Sequence, residues 1–389
     1  MRSLPTSALC RRAVLGVTAT VTGAALAACG STTAGTGGAK DAAAPAAKTA
    51  PGRATAVAAV DKAMATPVFT ANPPVDMGKL AGKRITVLAS TLAVPFVANI
   101  AKGAREAAGE IGWKATVVDG KGSVTEWSRV INQAVVQKVD GIITVGASPA
   151  QMKPAIAAAK KAGIPVVDTL TADQSRDPLV PGTFAHASIS FYDSGRLQAD
   201  YVIAHGTRDA HVLIFSDNEF PGEVTRVQGM RDEFTKLCPD CKLTVQDTQV
   251  ATIGTDLQRT TQTLLRRDPA IAWVLPTYDA QGIYVVPAIK SAGLADKVKV
   301  VGSDAVSANL DLVAKGDVQV ADVGEPDTWS GWAGVDMLGR ALAGQRPVPP
   351  NIPLRLFGAG NLKGVDTQDT GALFGSSFRD SYKKVWGLS

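Results

Sequence analysis

The sequence predicts an α/β fold built from parallel β-sheets, and three features of the pattern support this. From Lys83 onward, short runs rich in β-branched residues alternate with segments of helical spacing. The short runs are apolar throughout, which is typical of strands in parallel sheets that helices cover on both faces. Several helical segments end in glycine, as in "KKAGIP" and "KSAGLAD", where glycine favours helix termination. Right-handed crossovers would make these sheets doubly wound.

Strands and helices are predicted alternately between residues 85 and 323. The predicted strands are Ile85–Ala89, Ala115–Val118, Gly141–Val145, Pro165–Asp168, His211–Phe215, Leu243–Gln246, Trp273–Pro276, Val298–Val301 and Val318–Val323. The predicted helices are Val97–Ile111, Trp127–Lys138, Gln151–Ala162, Ser194–Ala204, Val224–Leu237, Leu257–Arg266 and Ile283–Ala292. A weaker helical pattern lies at Ala56–Met64.

The N-terminal segment has the anatomy of an export signal. Arg11-Arg12 precede an apolar run, and Leu26-Ala27-Ala28-Cys29 resembles a bacterial lipobox, in which Cys29 is lipidated and becomes the mature N-terminus. The paired arginines resemble a twin-arginine signal, but ordinary signals carry them too, so both export routes stay open. The apolar run after Arg11-Arg12 is too short to form a membrane-spanning helix. If the segment were instead an uncleaved anchor, the rest of the protein would still lie outside the membrane.

Two further segments follow from composition. We expect residues 1–28 to be a signal peptide and residues 29–79 to be a lipidated flexible tether, because they are rich in Ala, Gly, Thr and Pro. The formal net charge of +5 belongs mostly to the leader; without its three arginines, 37 basic and 35 acidic side chains remain. With no stripe of Lys and Arg among aromatics, the sequence argues against nucleic-acid binding.

Cys238 and Cys241 form a C-x-x-C pair in "CPDC". In the cytosol this spacing indicates redox chemistry or half of a zinc site. No second C-x-x-C is present, and none of the histidines has ligand spacing to this pair. For an exported protein we favour a local disulfide that ties a helix end to the next strand.

Polar and aromatic side chains follow the predicted strands, where doubly wound sheets bind their ligands. Ser90, Thr91 and Phe96 follow the first strand, and Asp168 ends the fourth. Later strand ends contribute Asp217, Asn218, Tyr278, Asp279, Ser303, Asp304, Glu325 and Trp329. Each acid or hydroxyl also fits a helix N-cap, above all Asp279, Ser303 and Asp304. Together these residues predict a polar rim over two sheets.

An ordered set of segments resembles the type I periplasmic sugar-binding proteins, the ribose- and galactose-binding receptors of ABC transporters. In family order the segments are "STLAVPF", "NQAVVQKVDGIITVGASP", "AGIPVVDT", "TRVQGMRDEF", "VLPTYDAQGIYVVPAIKSAG", "VVGSDA" and "GDVQVADVGEP". The resemblance covers about residues 83 to 360. It implies two doubly wound lobes joined by a three-crossing hinge, with the ligand clamped between them. It places lobe one at 80–187 plus 326–352, and lobe two at 188–325 plus 353–389.

The resemblance also assigns residues to the ligand. Ser90 matches a turn hydroxyl, Phe96 a stacking ring and Arg226 the arginine of an R-x-x-G helix. The full predicted set is Ser90, Thr91, Phe96, Asp168, Arg226, Tyr278, Asp279, Asp304, Glu325 and Trp329. Phe96 is alternatively a core residue, and Arg226 a surface residue.

Some positions depart from the family pattern. Val94 replaces an asparagine of the turn, Tyr278 replaces an amide, and Ser303 replaces a stacking aromatic. The fourth strand gives Asp168-Thr169, whereas the family's Asp-Arg pair would fall nearer Leu170-Thr171. The departures argue against ribose itself and favour a larger, less hydroxyl-rich or differently charged ligand.

The predicted function is therefore capture of a sugar or sugar-like molecule and its delivery to an ABC permease. The protein would be a monomer, anchored by lipid to the outer face of the bacterial cell membrane. A sensing lipoprotein that presents its ligand to a membrane receptor would use the same cleft. With no G-x-G-x-x-G after the first strand, no G-x-S-x-G and no metal-spaced histidines, we predict no enzyme activity, cofactor or metal. A transcriptional regulator would need a DNA-binding headpiece where the lipobox and tether stand.

Overall fold

The computed structural model describes residues 49–388, which form two α/β lobes. The strands are β1 (Arg84–Ala89), β2 (Lys114–Asp119), β3 (Gly141–Val145), β4 (Val166–Thr169), β5 (Thr183–His186), β6 (His211–Ser216), β7 (Lys242–Asp247), β8 (Ile271–Pro276), β9 (Lys299–Asp304), β10 (Gln319–Gly324) and β11 (Arg355–Gly358). The helices are α1 (Arg53–Met64), α2 (Pro95–Glu110), α3 (Val124–Val136), α4 (Lys153–Lys161), α5 (Phe191–His205), α6 (Pro221–Leu237), α7 (Ile253–Arg267), α8 (Asp279–Ser291), α9 (Ser307–Lys315), α10 (Asp327–Leu342), α11 (Thr370–Phe374) and α12 (Phe378–Val385). The predicted fold class is confirmed.

The predictions for the N-terminus fall mostly beyond this range. The signal peptide at 1–28, Cys29 and the tether as far as residue 48 lie outside the described residues. Between residues 49 and 388, no helix combines the length and the apolar character needed to span a membrane.

Lobe one is built on a parallel sheet of order β2-β1-β3-β4-β5. Helices α2 and α10 lie on one face, and α3 and α4 on the other. Glycines let α2 and α10 approach closely: a Cβ at Gly103 would lie 2.5 Å from the carbonyl oxygen of Thr328, and one at Gly331 would lie 2.3 Å from that of Ile100. This tight packing brings the start of α10 next to the start of α2.

Lobe two is built on a sheet of order β11-β10-β9-β8-β6-β7, parallel except for β11, which is antiparallel to β10. Helices α5 and α6 cover one face, and α7 and α8 the other. The end of α6 is joined to the start of β7 by a disulfide between Cys238 and Cys241. In both lobes, the carboxyl ends of the central strands point to the same interlobe region.

The tether prediction is wrong for residues 49–79, which pack against both lobes. Ala56 and Val60 of α1 are buried against lobe two, and the Arg53 Nε donates to the carbonyl oxygen of Ala204 at 2.8 Å. Phe69 then lies against lobe one, with its ring centroid 5.5 Å from that of Trp329. The composition misled because an alanine-rich helix docks closely through small side chains that resemble those of a linker.

The assignment of all of 353–389 to lobe two is also wrong at its end. Strand β11 and helix α11 belong to lobe two, but α12 returns to lobe one. There, the ring of Trp386 stacks on that of Trp332 at 5.2 Å, and its Nε1 donates to the Asp336 Oδ1 at 2.7 Å.

Within residues 49–388 the chain therefore crosses between the lobes five times. Three crossings lie at the predicted connections, between β5 and α5, β10 and α10, and α10 and β11. The fourth runs from α1 to Phe69, and the fifth from α11 to α12.

Candidate functional site

A cavity lies between the strand ends of the two lobes, and we call it the cleft cavity. Its volume is about 150 Å³. The residues that line it are Ser90, Thr91, Val94, Phe96, Val97, Gly146 and Leu170 from lobe one, and Phe220, Glu223, Val250, Ile253, Tyr278, Ala280 and Asp304 from lobe two. A volume of this order holds a molecule about the size of benzene.

Direct contacts between the lobes border this region. The Gly222 backbone N–H donates to the carbonyl oxygen of Thr171 at 3.0 Å. The Thr225 hydroxyl donates to the Asp177 Oδ1 at 2.7 Å. The start of α6 is therefore held against lobe one beside the cavity.

The turn between β1 and α2 forms the wall from lobe one. The backbone N–H of Ser90 donates to the carbonyl oxygen of Val145 at 2.8 Å, which continues the sheet pairing beyond β1. Pro95 starts α2, because its fixed φ and missing N–H suit the first helical turn. Ser90, Thr91 and Phe96, which the sequence analysis names as candidates, line the cavity. The Phe96 ring is mostly buried there.

Gly146 allows the neighbouring loop to approach this turn. Its φ is +66°, and a Cβ there would lie 2.8 Å from the Ser90 Oγ. The position therefore favours glycine for both its backbone conformation and its space. The small-residue loop after β3 keeps the cavity wall open at Ser90.

Asp304 lies on the opposite wall with an unusual backbone. Its φ is +122°, in a region that L-residues rarely adopt, and the φ of the following Ala305 is +64°. The Asp279 N–H donates to the Asp304 Oδ2 at 3.2 Å, and the Ala305 N–H donates to the Asp322 Oδ1 at 2.9 Å. Strain of this kind often accompanies function, and here it holds a carboxyl at the cavity wall.

Arg226 lies beneath the cavity and does not line it. Its side chain is 0 % exposed, with Nη2 2.7 Å from the Glu325 Oε1 and Nη1 2.9 Å from the Ser194 Oγ. It also hydrogen-bonds to Ser303. Burial by itself lowers the pKa of Arg226, but Glu223 and Glu325 outweigh it and raise that pKa. The guanidinium therefore stays charged and connects α6 to the ends of β9 and β10.

The R-x-x-G spacing of α6 has a packing reason as well. A Cβ at Gly229 would lie 2.1 Å from the carbonyl oxygen of Tyr192 on α5, so only glycine fits at this crossing. Arg226 lies at the same crossing, because a Cβ at Gly195 of α5 would clash with the carbonyl oxygen of Arg226. This keeps the guanidinium within reach of Ser194.

Several carboxyls share this low-dielectric region. Burial raises the pKa of Glu223 to about 7, although Arg226 opposes the shift. Burial and then Glu325 raise the pKa of Asp304 well above its ordinary range. The pKa of Asp217, which accepts from the Tyr278 hydroxyl at 2.9 Å, is raised to about 6, chiefly by burial. The lobe-two wall is therefore acidic and poorly hydrated.

Two predicted acids lie just outside the cleft cavity. Asp279 is buried behind Asp304, and its Oδ2 accepts from the Val306 N–H at 2.8 Å. Glu325 accepts a hydrogen bond from Arg226 and borders a neighbouring cavity of about 70 Å³, which Phe96 and Asp327 also line. Both acids support the loop after β9 and adjoin the cleft cavity.

Asp168 and Trp329 lie elsewhere. Asp168 is fully buried in lobe one, where its Oδ2 is 2.8 Å from the His186 Nδ1 and accepts from the Thr171 hydroxyl at 2.6 Å. The expectation that Trp329 faces the ligand is wrong. Its ring is 2 % exposed and is enclosed by the rings of Phe69 and Phe378, at 5.5 and 5.1 Å.

Sequence analysis missed some lining residues, chiefly from lobe two. The residues concerned are Val97, Gly146 and Leu170 of lobe one, and Phe220, Glu223, Val250, Ile253 and Ala280 of lobe two. Glu223 had a signal, because it precedes Arg226 by three residues on a helix and therefore lies on the same face. Val250 and Ile253 follow β7 and carry no polar group that would mark a binding site.

The acids do not form a metal centre. Within residues 49–388, no group of three or more His, Cys, Asp or Glu side chains is placed to hold a metal ion. The carboxyls instead face backbone N–H groups, Tyr278 and Arg226. The arrangement suits non-covalent binding of a small molecule.

Comparison with known proteins then decides the family. A family model described as a periplasmic binding protein domain matches residues 85–346. The chain belongs to this family. Its members are substrate-binding proteins of ABC transporters and not enzymes. The family resemblance that the ordered sequence segments indicated is therefore confirmed.

Solved structures share the fold of this periplasmic binding protein. An ABC sugar transporter subunit from Rhodobacter sphaeroides 2.4.1 is 21% identical, with a TM-score of 0.64 over 72% of this chain and 99% of that one. An ABC transporter solute-binding protein from Agrobacterium vitis, with bound allitol, is 19% identical, with a TM-score of 0.66 over 73% and 98%.

A third similar structure is GanP, a glucose-galactose binding protein from Geobacillus stearothermophilus. It is 21% identical, with a TM-score of 0.65 over 72% of this chain and 99% of that one. A comparison with curated proteins finds no match. At these sequence identities the similarity establishes the fold alone. The ligand is therefore argued from the residues that line the cavity.

Proposed function

We propose that the protein captures a sugar, a polyol or a sugar-like small molecule in the cleft cavity and delivers it to an ABC permease. The observation that carries the proposal is the position of this cavity, between strand ends of both lobes. A molecule bound there contacts both lobes at once, so its binding energy favours a closed arrangement.

The lining residues suit a sugar-like ligand in two ways. Carboxyls of Glu223 and Asp304 accept hydrogen bonds from hydroxyl groups, and the hydroxyls of Ser90 and Thr91 both donate and accept. Phe96 offers a ring for the C–H face of a sugar. Similar solved structures hold allitol or are described as binding glucose and galactose, which supports this ligand class.

We further propose that Cys29 is lipidated after removal of residues 1–28, and that the protein acts as a monomer outside the cytoplasm. The lipobox-like Leu26-Ala27-Ala28-Cys29 supports the anchor. Mass measurement of the protein extracted from membranes tests it, because Cys29→Ser should abolish both the added lipid mass and membrane retention.

The ligand class is tested by releasing small molecules from the denatured protein for mass spectrometry, followed by a thermal-shift panel of sugars and polyols. A true ligand raises Tm by mass action. Asp304→Asn should lower the affinity for that ligand. Asp317→Asn, at an exposed position of lobe two, should leave the affinity unchanged. If no sugar, polyol or related compound is released or raises Tm, the proposal is wrong.

Delivery is tested in cells. Uptake of the labelled ligand should fall when the gene is deleted and recover with the wild-type protein but not with Asp304→Asn. Unchanged uptake alongside a lost transcriptional response to the ligand would instead assign the protein to sensing.

A further inference from the structure

We propose that the ligand of the cleft cavity carries a positively charged nitrogen on a partly apolar body, as in an amino sugar or a similar small amine. The inference rests on the proposed function, because it concerns the same cavity. It refines the ligand class from neutral sugars and polyols to cations.

The first argument is the chemistry of the cavity wall. The acids Glu223 and Asp304 line it, and among residues 49–388 the lining includes no Lys, Arg, His, Asn or Gln. Each of these carboxyls accepts hydrogen bonds, and when protonated it can donate only one. A neutral sugar also needs donors for its ring oxygen and hydroxyls, and the wall offers few beyond Ser90 and Thr91.

The second argument is the incompletely paired carboxyl of Glu223. Its side chain is mostly buried at 7 % exposure, and its Oε2 lies 3.1 Å from the Arg226 Nε in an ion pair that lacks hydrogen-bond geometry. The same guanidinium donates its hydrogen bond to the carboxyl of Glu325. A ligand N–H that reaches the Glu223 carboxyl from the cavity therefore gains a charge-assisted bond.

The third argument is the local charge balance. Glu223, Asp304 and Glu325 surround one guanidinium, that of Arg226, so its charge compensates only one of the three carboxyls. Asp217 and Tyr278 also face Glu223 and add no positive charge. In the ligand-free protein, protons meet this excess of negative charge, since the pKa values of Glu223 and Asp304 are raised. A cation in the cavity would take the place of those protons in a region where water is largely excluded.

The apolar part of the wall fits the same ligand. The rings of Phe96, Phe220 and Tyr278 line the cavity together with aliphatic side chains such as Leu170 and Ile253. Aromatic faces attract a desolvated ammonium group and also cover C–H surfaces. This combination suits an amine with a compact carbon skeleton better than a fully hydroxylated sugar.

The experiment compares matched cation and neutral pairs by thermal shift and titration calorimetry. The pairs are glucosamine with glucose and N-acetylglucosamine, and choline with 3,3-dimethylbutan-1-ol. We expect a cationic member to bind at least about 10-fold more tightly than its neutral partner. Glu223→Gln should reduce that preference about 10-fold or more. Asp296→Asn, an exposed acid of the same lobe, is the matched control.

A second readout does not depend on any variant. A bound cation favours the ionised forms of Glu223 and Asp304, so binding near pH 7 should release protons. Titrations in buffers of different ionisation enthalpy measure this release. A neutral ligand that leaves both carboxyls protonated shows none.

The outcomes separate the two proposals. A neutral sugar or polyol that binds more tightly than every amine, or that is the molecule released on denaturation, overturns the cation inference and leaves the proposed function intact. If neither a cation nor a neutral compound binds and nothing is released, both are overturned. If Glu223→Gln fails to fold, the wild-type affinity ratios and proton release decide.

Discussion

The sequence analysis assigned Arg226 to the ligand, but the structure buries this side chain among three carboxyls and two hydroxyls of the protein. Its guanidinium contacts Glu223, Glu325, Ser194 and Ser303 beneath the cleft cavity. A change here therefore affects the folded state as well as the ligand.

We predict that Arg226→Ala lowers the free energy of unfolding by about 3–5 kcal/mol at pH 7, because it leaves buried carboxylates without their cation. Urea denaturation measures the change. The exposed pair of Arg259 provides the control, since Arg259→Ala should cost less than about 1 kcal/mol. The loss at Arg226 should shrink at pH 5, where Glu223 is protonated. An equal loss at both pH values contradicts the electrostatic explanation.

We also predict that the ligand-free protein becomes less stable as pH rises from about 5 to 7.5. Burial raises the folded-state pKa of Glu223 to about 7 and that of Asp304 well above the ordinary range. The folded state then binds more protons than the unfolded state in this window, so the free energy of unfolding falls with pH. Denaturation across pH 5 to 8 measures the slope.

Glu223→Gln should make this slope shallower, because it removes one of the groups that lose their proton on unfolding. Asp296→Asn should leave the slope unchanged. A stability that rises through this window would show that the acids are ionised in the folded protein.

Helix α1 and the segment after it form the element that the sequence analysis misjudged most. The helix docks on lobe two, and Phe69 inserts between Trp329 and Tyr382 of lobe one, with ring centroids at 5.5 and 5.0 Å. This aromatic contact fixes the segment to both lobes.

We predict that Phe69→Ala lowers the free energy of unfolding by about 1–3 kcal/mol, since the ring is partly buried and its removal uncovers Trp329. Chemical denaturation tests this. The adjacent Val68 is 86% exposed, so Val68→Ala should change stability by less than about 0.5 kcal/mol. Tryptophan fluorescence should shift to longer wavelength in Phe69→Ala alone; equal effects of both changes would contradict the packing.

The elements differ in how far the sequence predicts them, for physical reasons. The apolar runs at Ile85–Ala89 and Val298–Val301 predict buried parallel strands, because helices cover both faces of such a sheet and both faces therefore need apolar residues. Strands β5 and β11 are four residues each, and their pairing depends on sheet neighbours that a local pattern does not reveal. Helix α1 was mistaken for linker because its packing relies on alanines.

The site was predictable where a side chain directly follows a strand. Ser90, Thr91, Tyr278 and Asp304 were found in this way and line the cavity. Trp329 also follows a strand, but α12, some fifty residues later, encloses its ring, and no local pattern shows that.

At the scale of the whole molecule, five crossings join the lobes, and two of them lie near the ends of the described chain. Helix α12 carries Phe378, Tyr382 and Trp386 back into the core of lobe one after α11 has packed on lobe two. Such contacts couple the lobes mechanically and energetically.

We predict a single cooperative thermal transition, with the calorimetric enthalpy equal to the van't Hoff enthalpy. Removal of residues 377–389 should lower Tm, and its enthalpy ratio should depart from one, because lobe one loses part of its core and its link to lobe two. A truncation that removes only Ser389 is the control. Two transitions in the intact protein would contradict the coupling.

The short connection between α1 and Phe69 sets a mechanical limit on opening. Met64 is held to lobe two, since its carbonyl oxygen accepts from the Arg355 Nε at 3.3 Å and from the Asn361 Nδ2 at 3.2 Å. Phe69 is held in lobe one, and only residues 65–68 lie between them. A fully extended chain of this length spans at most about 17 Å. While both ends stay docked, residues 65–68 limit how far the two lobes can separate. This limit restricts the range of open conformations that the ligand-free protein can adopt before it binds its solute.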